Sequence, residues 1–236
     1  MSASLSEPVQ TTIIKHDDFQ SHENPDIALL PSWTVTRFDK QTSEKIVDKH
    51  SLKLLTSKTA LNALPPYDMT KNTAIGLMFS PRWASYTKTA FDLPGNNGLG
   101  WKLLLEIFSS DGPDEIKSSV VLAPLETFWH FAVVCDEWNV NAKDARVKAH
   151  FDSWFQTRIK NRSPEPVKSE RAFARSLLWP TWYFENLKGF QWATKFLIYN
   201  DIGHVEPYNP TKYREIIMPK RVVREYLHEP SRLRPF

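Results

Sequence analysis

The sequence has little cysteine, little glycine and no long apolar run. Cys135 is the only cysteine among 236 residues, so an internal disulfide cannot form and a reducing compartment is favoured. Seven glycines argue against a fold dominated by tight β-turns. No apolar run approaches the roughly 20 residues that cross a bilayer, and the N-terminal residues lack the pattern of a secretory signal. We therefore expect an intracellular protein, cytoplasmic or nuclear, without membrane contact.

Aromatic residues are abundant by contrast. The chain contains nine tryptophans, fourteen phenylalanines and seven tyrosines, so large rings should form much of the core. Apolar residues make up 41% and charged residues 24%, which is ordinary for a globular protein. The length allows one large domain or two small ones.

The net charge of +3 is unevenly distributed along the chain. Residues 1–31 hold one lysine and five acidic residues, whereas residues 211–236 hold seven lysines and arginines and only three acidic residues. A basic segment can bind nucleic acid or an acidic partner, although such segments are more often simply solvated. A nucleic-acid-associated regulator that uses this basic C-terminal tail is therefore our alternative function.

Apolar periodicity predicts strands first and helices later. Residues 1–31 show no periodicity and are predicted to lack regular structure. Short alternations predict two or three strands in residues 33–64, and "TAFDLP" is predicted to be a further strand. Helices are predicted at residues 73–83, at "LGWKLLLEIFSS", from Pro124 through Asp136, at 147–159, at 170–184 and at 186–199, with 161–170 as a loop. Pro180 should kink or end its helix.

Cys135 is the obvious candidate for a catalytic nucleophile. A reactive thiol needs a depressed pKa, but Cys135 lies toward the end of its predicted helix, beside Asp136 and Glu137, where a thiolate is disfavoured. His130 lies about 140° round an ideal helix from Cys135 and is poorly placed to activate it. We therefore interpret Cys135 as a core residue.

Three other stretches contain residue types that can form a chemical or binding site. "LPGNNGLGW" at 93–101 is glycine-rich, but its glycines follow the order G-x-x-G-x-G and no G-K-[ST] is present, so a plain turn is favoured. The aromatic stretch at 177–192 holds one cation, Lys188, which favours a packed helix pair over a base-stacking groove. The third stretch offers metal-binding residue types without a defined spacing: His16, Asp17, Asp18, His22 and Glu23. We predict no catalytic, cofactor-binding or metal-binding residues and no cofactor.

The arrangement of the segments resembles the BTB/POZ-like domain proteins of filamentous fungi. "FDLPGNNGLGWKLLLEIFSS" looks like the family's strand ending near "L-P" and the following helix with paired leucines. The later helix pattern is similar at Phe128, Ala132, Asp136 and Trp138, and "ARSLLWPTWYFENLKGFQWATKFLIYNDIG" resembles the paired helices that follow the family's core. The resemblance covers about residues 45–205 and is best at 91–159 and 171–203.

This resemblance implies an α+β fold that is predominantly helical, a small sheet capped by helices with a C-terminal helical extension. We divide the chain into a flexible acidic tail at 1–31, a BTB/POZ-like core at 32–160, the helical extension at 161–205 and a basic tail at 206–236. The implied function is a non-catalytic protein–protein interaction module, an adaptor or scaffold linked to ubiquitin ligation or transcriptional regulation.

The resemblance also implies protein partners, among them a cullin-type ubiquitin ligase. A homodimer is a further option, but residues 33–81 depart from the family pattern at the usual dimer interface. Nucleic acid is the less favoured partner. We interpret Trp154, Trp182 and Trp192 as core or interface residues, with core favoured for most of them.

Overall fold

The structure, a computed structural model, describes residues 10–21, 25–39, 42, 44–57, 61, 90–94, 97–109, 115–137, 140–160, 167–200 and 208–211. Within these ranges six strands precede six helices. The strands are β1 (Gln10–Lys15), β2 (Phe19–Gln20), β3 (Ile27–Phe38), β4 (Lys45–Ser51), β5 (Leu54–Thr56) and β6 (Ala90–Pro94). The helices are α1 (Gly98–Phe108), α2 (Ser118–Leu122), α3 (Leu125–Glu137), α4 (Ala145–Lys160), α5 (Val167–Tyr183) and α6 (Leu187–Asn200). The predicted mixture of a sheet with helices is confirmed.

β3 lies at the centre of the sheet. On one side it pairs antiparallel with β4 and β5, and on the other side it pairs in parallel with β6. β1 and β2 lie parallel to β4 and β5 and form the outer edge. Burial alternates along the first half of β3, where Ile27, Leu29 and Trp33 are buried. This alternation places one face of the sheet on the core.

α1 is the central helix of the core. Its buried side chains cover most of its circumference, as expected for a helix enclosed by other elements. It contacts β3 and β5 of the sheet as well as α2, α3 and α4. Its buried apolar residues are Trp101, Leu103, Leu104, Leu105, Ile107 and Phe108.

α5 and α6 pack against each other and form the predicted helix pair. Residues 184–186 form the short turn between them. α5 also packs on α3, where the rings of Trp179 and Trp129 stack with centroids 4.8 Å apart. The helical extension is therefore joined to the core through buried aromatic residues.

Pro180 lies inside α5, which continues to Tyr183 and ends within one turn. Because proline has no N–H, the carbonyl group of Ser176 has no helical donor four residues later. The indole Nε1–H of Trp129 donates to that carbonyl oxygen at 2.9 Å. One residue earlier, the backbone N–H of Tyr208 donates to the carbonyl oxygen of Arg175 at 3.3 Å. Donors from outside the helix thus satisfy the backbone at the proline.

Three predicted segments need correction. Residues 1–31 were predicted to lack regular structure, yet β1, β2 and the start of β3 lie in this range. Edge strands need only one hydrogen-bonded neighbour and leave one face in water, so their side chains stay polar and show weak alternation. The loop predicted at 161–170 is wrong for its last four residues, because α5 begins at Val167.

The stretch between Pro113 and Pro124 was interpreted as a connector, yet it contains α2 at Ser118–Leu122. The remaining predicted elements agree with the structure where it describes them. β3, β4, β5 and β6 match the predicted strands, and α1, α3, α4, α5 and α6 match the predicted helices. The helix predicted at 73–83 and nearly all of the basic tail, residues 212–236, lie outside the described residues.

Candidate functional site

Cys135 lies in the core, as predicted. Its side chain on α3 is fully buried, and burial raises the pKa of the thiol well above its ordinary value. The nearby charges of Asp136 and Asp144 raise this pKa further. A thiol in this setting stays protonated and out of reach of a substrate at neutral pH.

His130 is buried on the same helix. Burial lowers its pKa to about 4, and the charge of His50 contributes to the shift. The imidazole is therefore neutral at physiological pH. The Glu126 carboxylate is 3.9 Å from its Nε2 atom, too far for a short hydrogen bond.

The glycine-rich stretch is the close-packed start of α1. A Cβ atom at Gly98 would lie 2.8 Å from the Trp33 ring, and one at Gly100 would lie 2.6 Å from the carbonyl oxygen of His130. The Asn97 side chain caps the helix by accepting from the N–H groups of Leu99, at 2.8 Å, and Gly100, at 3.4 Å. These glycines let the helix approach its neighbours, and the cap uses donors that a phosphate would need.

His16, from the metal-ligand candidates, joins a stack of three rings. It stacks on Trp33 and on His50 with centroids 5.2 and 5.3 Å apart, and its Nε2 atom is 3.1 Å from Nδ1 of His50. Asp18 lies 3.9 Å from the ammonium group of Lys53. His22 and Glu23 lie outside the described residues. Across the described ranges, no group of three or more His, Cys, Asp or Glu residues could hold a metal ion.

Glu106 is a buried acid that the sequence analysis missed. Its carboxyl group lines a cavity of about 270 Å³ between α1, α2 and α3, and burial raises its pKa. A hydrogen bond with Ser119 and the charges of Lys102 and Lys117 oppose this rise. The signal was an acidic residue inside the apolar stretch "LLLEIF".

A larger cleft lies at the turn between α5 and α6. It has a volume of about 420 Å³, and we call it the α5–α6 cleft. Among the described residues, its wall combines aromatic and aliphatic side chains with one charged residue, Glu185. The residues that line it are Thr181, Trp182, Tyr183, Glu185, Leu187 and Phe190.

The three tryptophans that we predicted to be core or interface residues differ in their burial. Trp154 is fully buried, and its indole N–H donates to the carbonyl oxygen of Ala123 at 2.7 Å. Trp192 is half-buried and stacks on Phe196. Trp182 is 37% exposed at the wall of the cleft, beside Leu187, which is 67% exposed. Of these three, Trp182 is best placed to meet a partner.

The backbone of the turn is held in a defined shape. Glu185 has a φ of 53°, a left-handed conformation that is uncommon for residues other than glycine. The N–H of Asn186 donates to the carbonyl oxygen of Thr181 at 2.9 Å, and its side-chain amide donates to Asp152 at 2.8 Å. The Asn186 side chain also accepts from the N–H of Gly189 at the start of α6. These bonds hold the cleft wall against α4.

Comparisons with models of protein families, with curated proteins and with solved structures found no match for this chain. The BTB/POZ resemblance therefore stays a prediction. Among the helices that the structure describes, none combines the length and apolar character needed to cross a membrane.

Proposed function

We propose that this protein is a non-catalytic protein–protein interaction module that binds its partner through the helical extension. The observation that carries the proposal is the α5–α6 cleft, where the exposed side chains of Trp182 and Leu187 line a cavity with aromatic walls. Tryptophan and neighbouring apolar side chains supply much of the binding energy at protein interfaces.

The environment of the reactive groups supports a binding role. Cys135 is fully buried with a raised pKa, and His130 is buried and neutral. Glu106 is buried between helices with a hydrogen-bond partner, Ser119. Cys135 and His130 are part of the packed core, and Glu106 lies at the wall of a small cavity between helices, whereas Trp182 and Leu187 at the cleft are open to solvent.

We further propose a BTB/POZ-type architecture, acting as an adaptor or scaffold in ubiquitin ligation or transcriptional regulation. The arrangement of the chain supports this. β6 ends at Pro94 and leads directly into α1 with its buried leucines, and α5 and α6 follow as a pair. These are the features that suggested the family from the sequence, so they support the proposal by analogy only.

The experiment is affinity capture of the tagged full-length protein from its native cell extract, with mass spectrometry of the bound proteins. The wild type runs beside a double variant, Trp182→Ala with Leu187→Ala, and beside Tyr199→Ala as a control. Tyr199 is 77% exposed on α6, and 12 residues of helix separate it from Leu187, roughly 18 Å. A stoichiometric protein should be recovered with the wild type and the control and lost with the double variant.

A cullin-type subunit in that set would support the ligase pathway. Equal recovery of every bound protein with the double variant would contradict the proposed site. Circular dichroism of each variant establishes that a loss of binding does not come from unfolding.

A further inference from the structure

We infer that the α5–α6 cleft binds an arginine side chain that a partner protein presents. The inference rests on the proposed function and names the chemistry that the cleft recognises. It depends on three features of the cleft: an aromatic wall, one carboxylate on the lining, and a turn that holds both in place.

The aromatic wall suits a cation. Trp182, Tyr183 and Phe190 all line the cleft, and Trp182 is partly open to solvent. The face of an aromatic ring attracts a cation within about 6 Å of its centre, and tryptophan does so most strongly. Burial raises the pKa of the Tyr183 hydroxyl, so this ring remains uncharged over the physiological range.

Glu185 is the one charged residue on the described lining, and it is negative. Its Oε1 atom is 2.7 Å from Nζ of Lys143, and the two side chains are 50% and 66% exposed. An ion pair this open to water contributes little to stability, so an incoming cation can replace Lys143 at small cost. Lys148 lies nearby but is paired with Asp152 at 3.2 Å. A cation that displaces Lys143 therefore meets a carboxylate on the cleft lining.

The carboxylate is held on a structured turn. Besides the hydrogen bonds of Asn186, the ammonium group of Lys148 donates to the backbone carbonyl oxygen of Glu185 at 3.3 Å. Glu185 is the left-handed residue of the cap that ends α5, where its N–H donates to the carbonyl oxygen of Trp182 at 3.2 Å. A receptor wall that is already ordered loses little conformational entropy on binding.

Arginine matches this combination better than lysine does. Its planar guanidinium group stacks on an aromatic face while its N–H groups bind a carboxylate in two parallel hydrogen bonds. It is also more weakly hydrated than an ammonium group, so less water-binding energy is lost when it enters an apolar cleft. The aliphatic part of the side chain can lie against Leu187, which is 67% exposed.

The test uses the full-length protein and five capped pentapeptides, Ac-Gly-Gly-Xaa-Gly-Gly-NH₂, with Xaa as arginine, lysine, norleucine, citrulline or glutamate. Binding is followed by nuclear magnetic resonance shifts of the tryptophan indole N–H signals. The arginine peptide should bind tightest, and citrulline, which has a similar shape without charge, should bind roughly tenfold more weakly. Tighter binding of the norleucine, lysine or glutamate peptide would overturn the inference, as would no shift with any peptide.

Three variants of the cleft should change the affinity for the arginine peptide, two by weakening it and one by strengthening it. Glu185→Gln should weaken the arginine peptide about tenfold, and Lys143→Gln should strengthen it about two- to fivefold because the competing cation is gone. Trp182→Leu keeps apolar bulk but removes the ring and should weaken binding about threefold or more. Tyr199→Ala, outside the cleft, is the matched control and should change nothing. An unchanged or weaker affinity in Lys143→Gln would refute the role of Glu185.

The two proposals fail separately. If Trp182→Ala with Leu187→Ala abolishes partner capture but the arginine peptide does not bind, the protein-interaction proposal stands and the arginine inference is wrong. If the arginine peptide binds, the variants change its affinity in the expected directions and no partner depends on the cleft, then the partner-binding function is wrong. In that case a partner protein is also wrong as the source of the arginine.

Discussion

The hydrogen bond from Trp129 to Ser176 makes a specific prediction about Pro180. Trp129→Phe removes the indole donor and leaves the Ser176 carbonyl group without the bond that the proline cannot supply. A buried acceptor without a partner costs about 1–3 kcal/mol. The smaller ring adds about 1 kcal/mol from lost packing. We therefore expect the free energy of unfolding to fall by about 2–4 kcal/mol.

Pro180→Ala restores a backbone N–H four residues after Ser176. In that background the carbonyl group has a helical donor, so Trp129→Phe should cost only its packing part. The two substitutions should therefore be coupled by about 1–3 kcal/mol in a double-mutant cycle. Urea unfolding of all four proteins, followed by the circular dichroism of the helices at about 222 nm, measures each free energy of unfolding. This signal does not rely on tryptophan emission.

Trp154 provides the matched control for this cycle. It is also fully buried and donates its indole N–H to a backbone carbonyl, that of Ala123, at 2.7 Å, but this carbonyl does not depend on Pro180. Trp154→Phe should cost the same in both backgrounds. If Trp129→Phe also costs the same with and without Pro180, within about 0.5 kcal/mol, the account of the proline is wrong.

Three further predictions concern the core. Because burial lowers the pKa of His130 to about 4, the unfolded chain binds more protons below pH 6.5. His130 should lower stability by about 2–3 kcal/mol from pH 7 to about pH 4.5, in addition to the falls from His50 and His150, whose pKa values burial also lowers, and the total fall should shrink by that amount in His130→Gln when urea unfolding is compared at both pH values. Cys135 should resist iodoacetamide in the native protein and react once urea unfolds it, as mass spectrometry of the alkylated chain will reveal; rapid native alkylation at neutral pH would contradict its burial. Gly100→Ala should lower stability by about 1–3 kcal/mol in thermal unfolding because its Cβ would lie 2.6 Å from the His130 carbonyl oxygen, whereas Lys195→Ala, at an exposed position on α6, should change stability by no more than about 0.5 kcal/mol.

The longer helices were predictable because apolar residues recur in them at helical spacing. α4 illustrates this: Val147, Phe151, Trp154 and Phe155 recur at helical spacing, and all four are buried. The position of Cys135 followed from the same periodicity. These features depend on residues that are close in sequence, so a single chain suffices to find them.

The outer strands were not predictable in this way. β1 places Ile13 in water, 72% exposed, and its pairing joins Gln10 to Ile46, which lies far along the chain. Such pairing depends on backbone hydrogen bonds between distant segments and leaves a weak trace in the side chains.

The cleft could not be predicted from the sequence either, although Trp182 was predicted to be a core or interface residue. Trp179 and Trp182 are three residues apart, so periodicity assigns both to neighbouring positions on one helix face. In the structure Trp179 is 6% exposed and stacks on Trp129, whereas Trp182 is 37% exposed near the end of α5. The difference depends on where α3 packs and where α5 ends, and both are tertiary facts.

The parallel pairing of β1 with β4 has a consequence for synthesis on the ribosome. Gln10 is made before its partner Ile46, and 36 residues of translation separate them, or about 2–7 s. The hairpin of β3 and β4 has no such delay, because its strands are neighbours in the sequence. β1 thus waits longer for its partner strand than β3 does, and its polar residues Gln10, Thr11 and Thr12 suit a nascent segment that must wait in water.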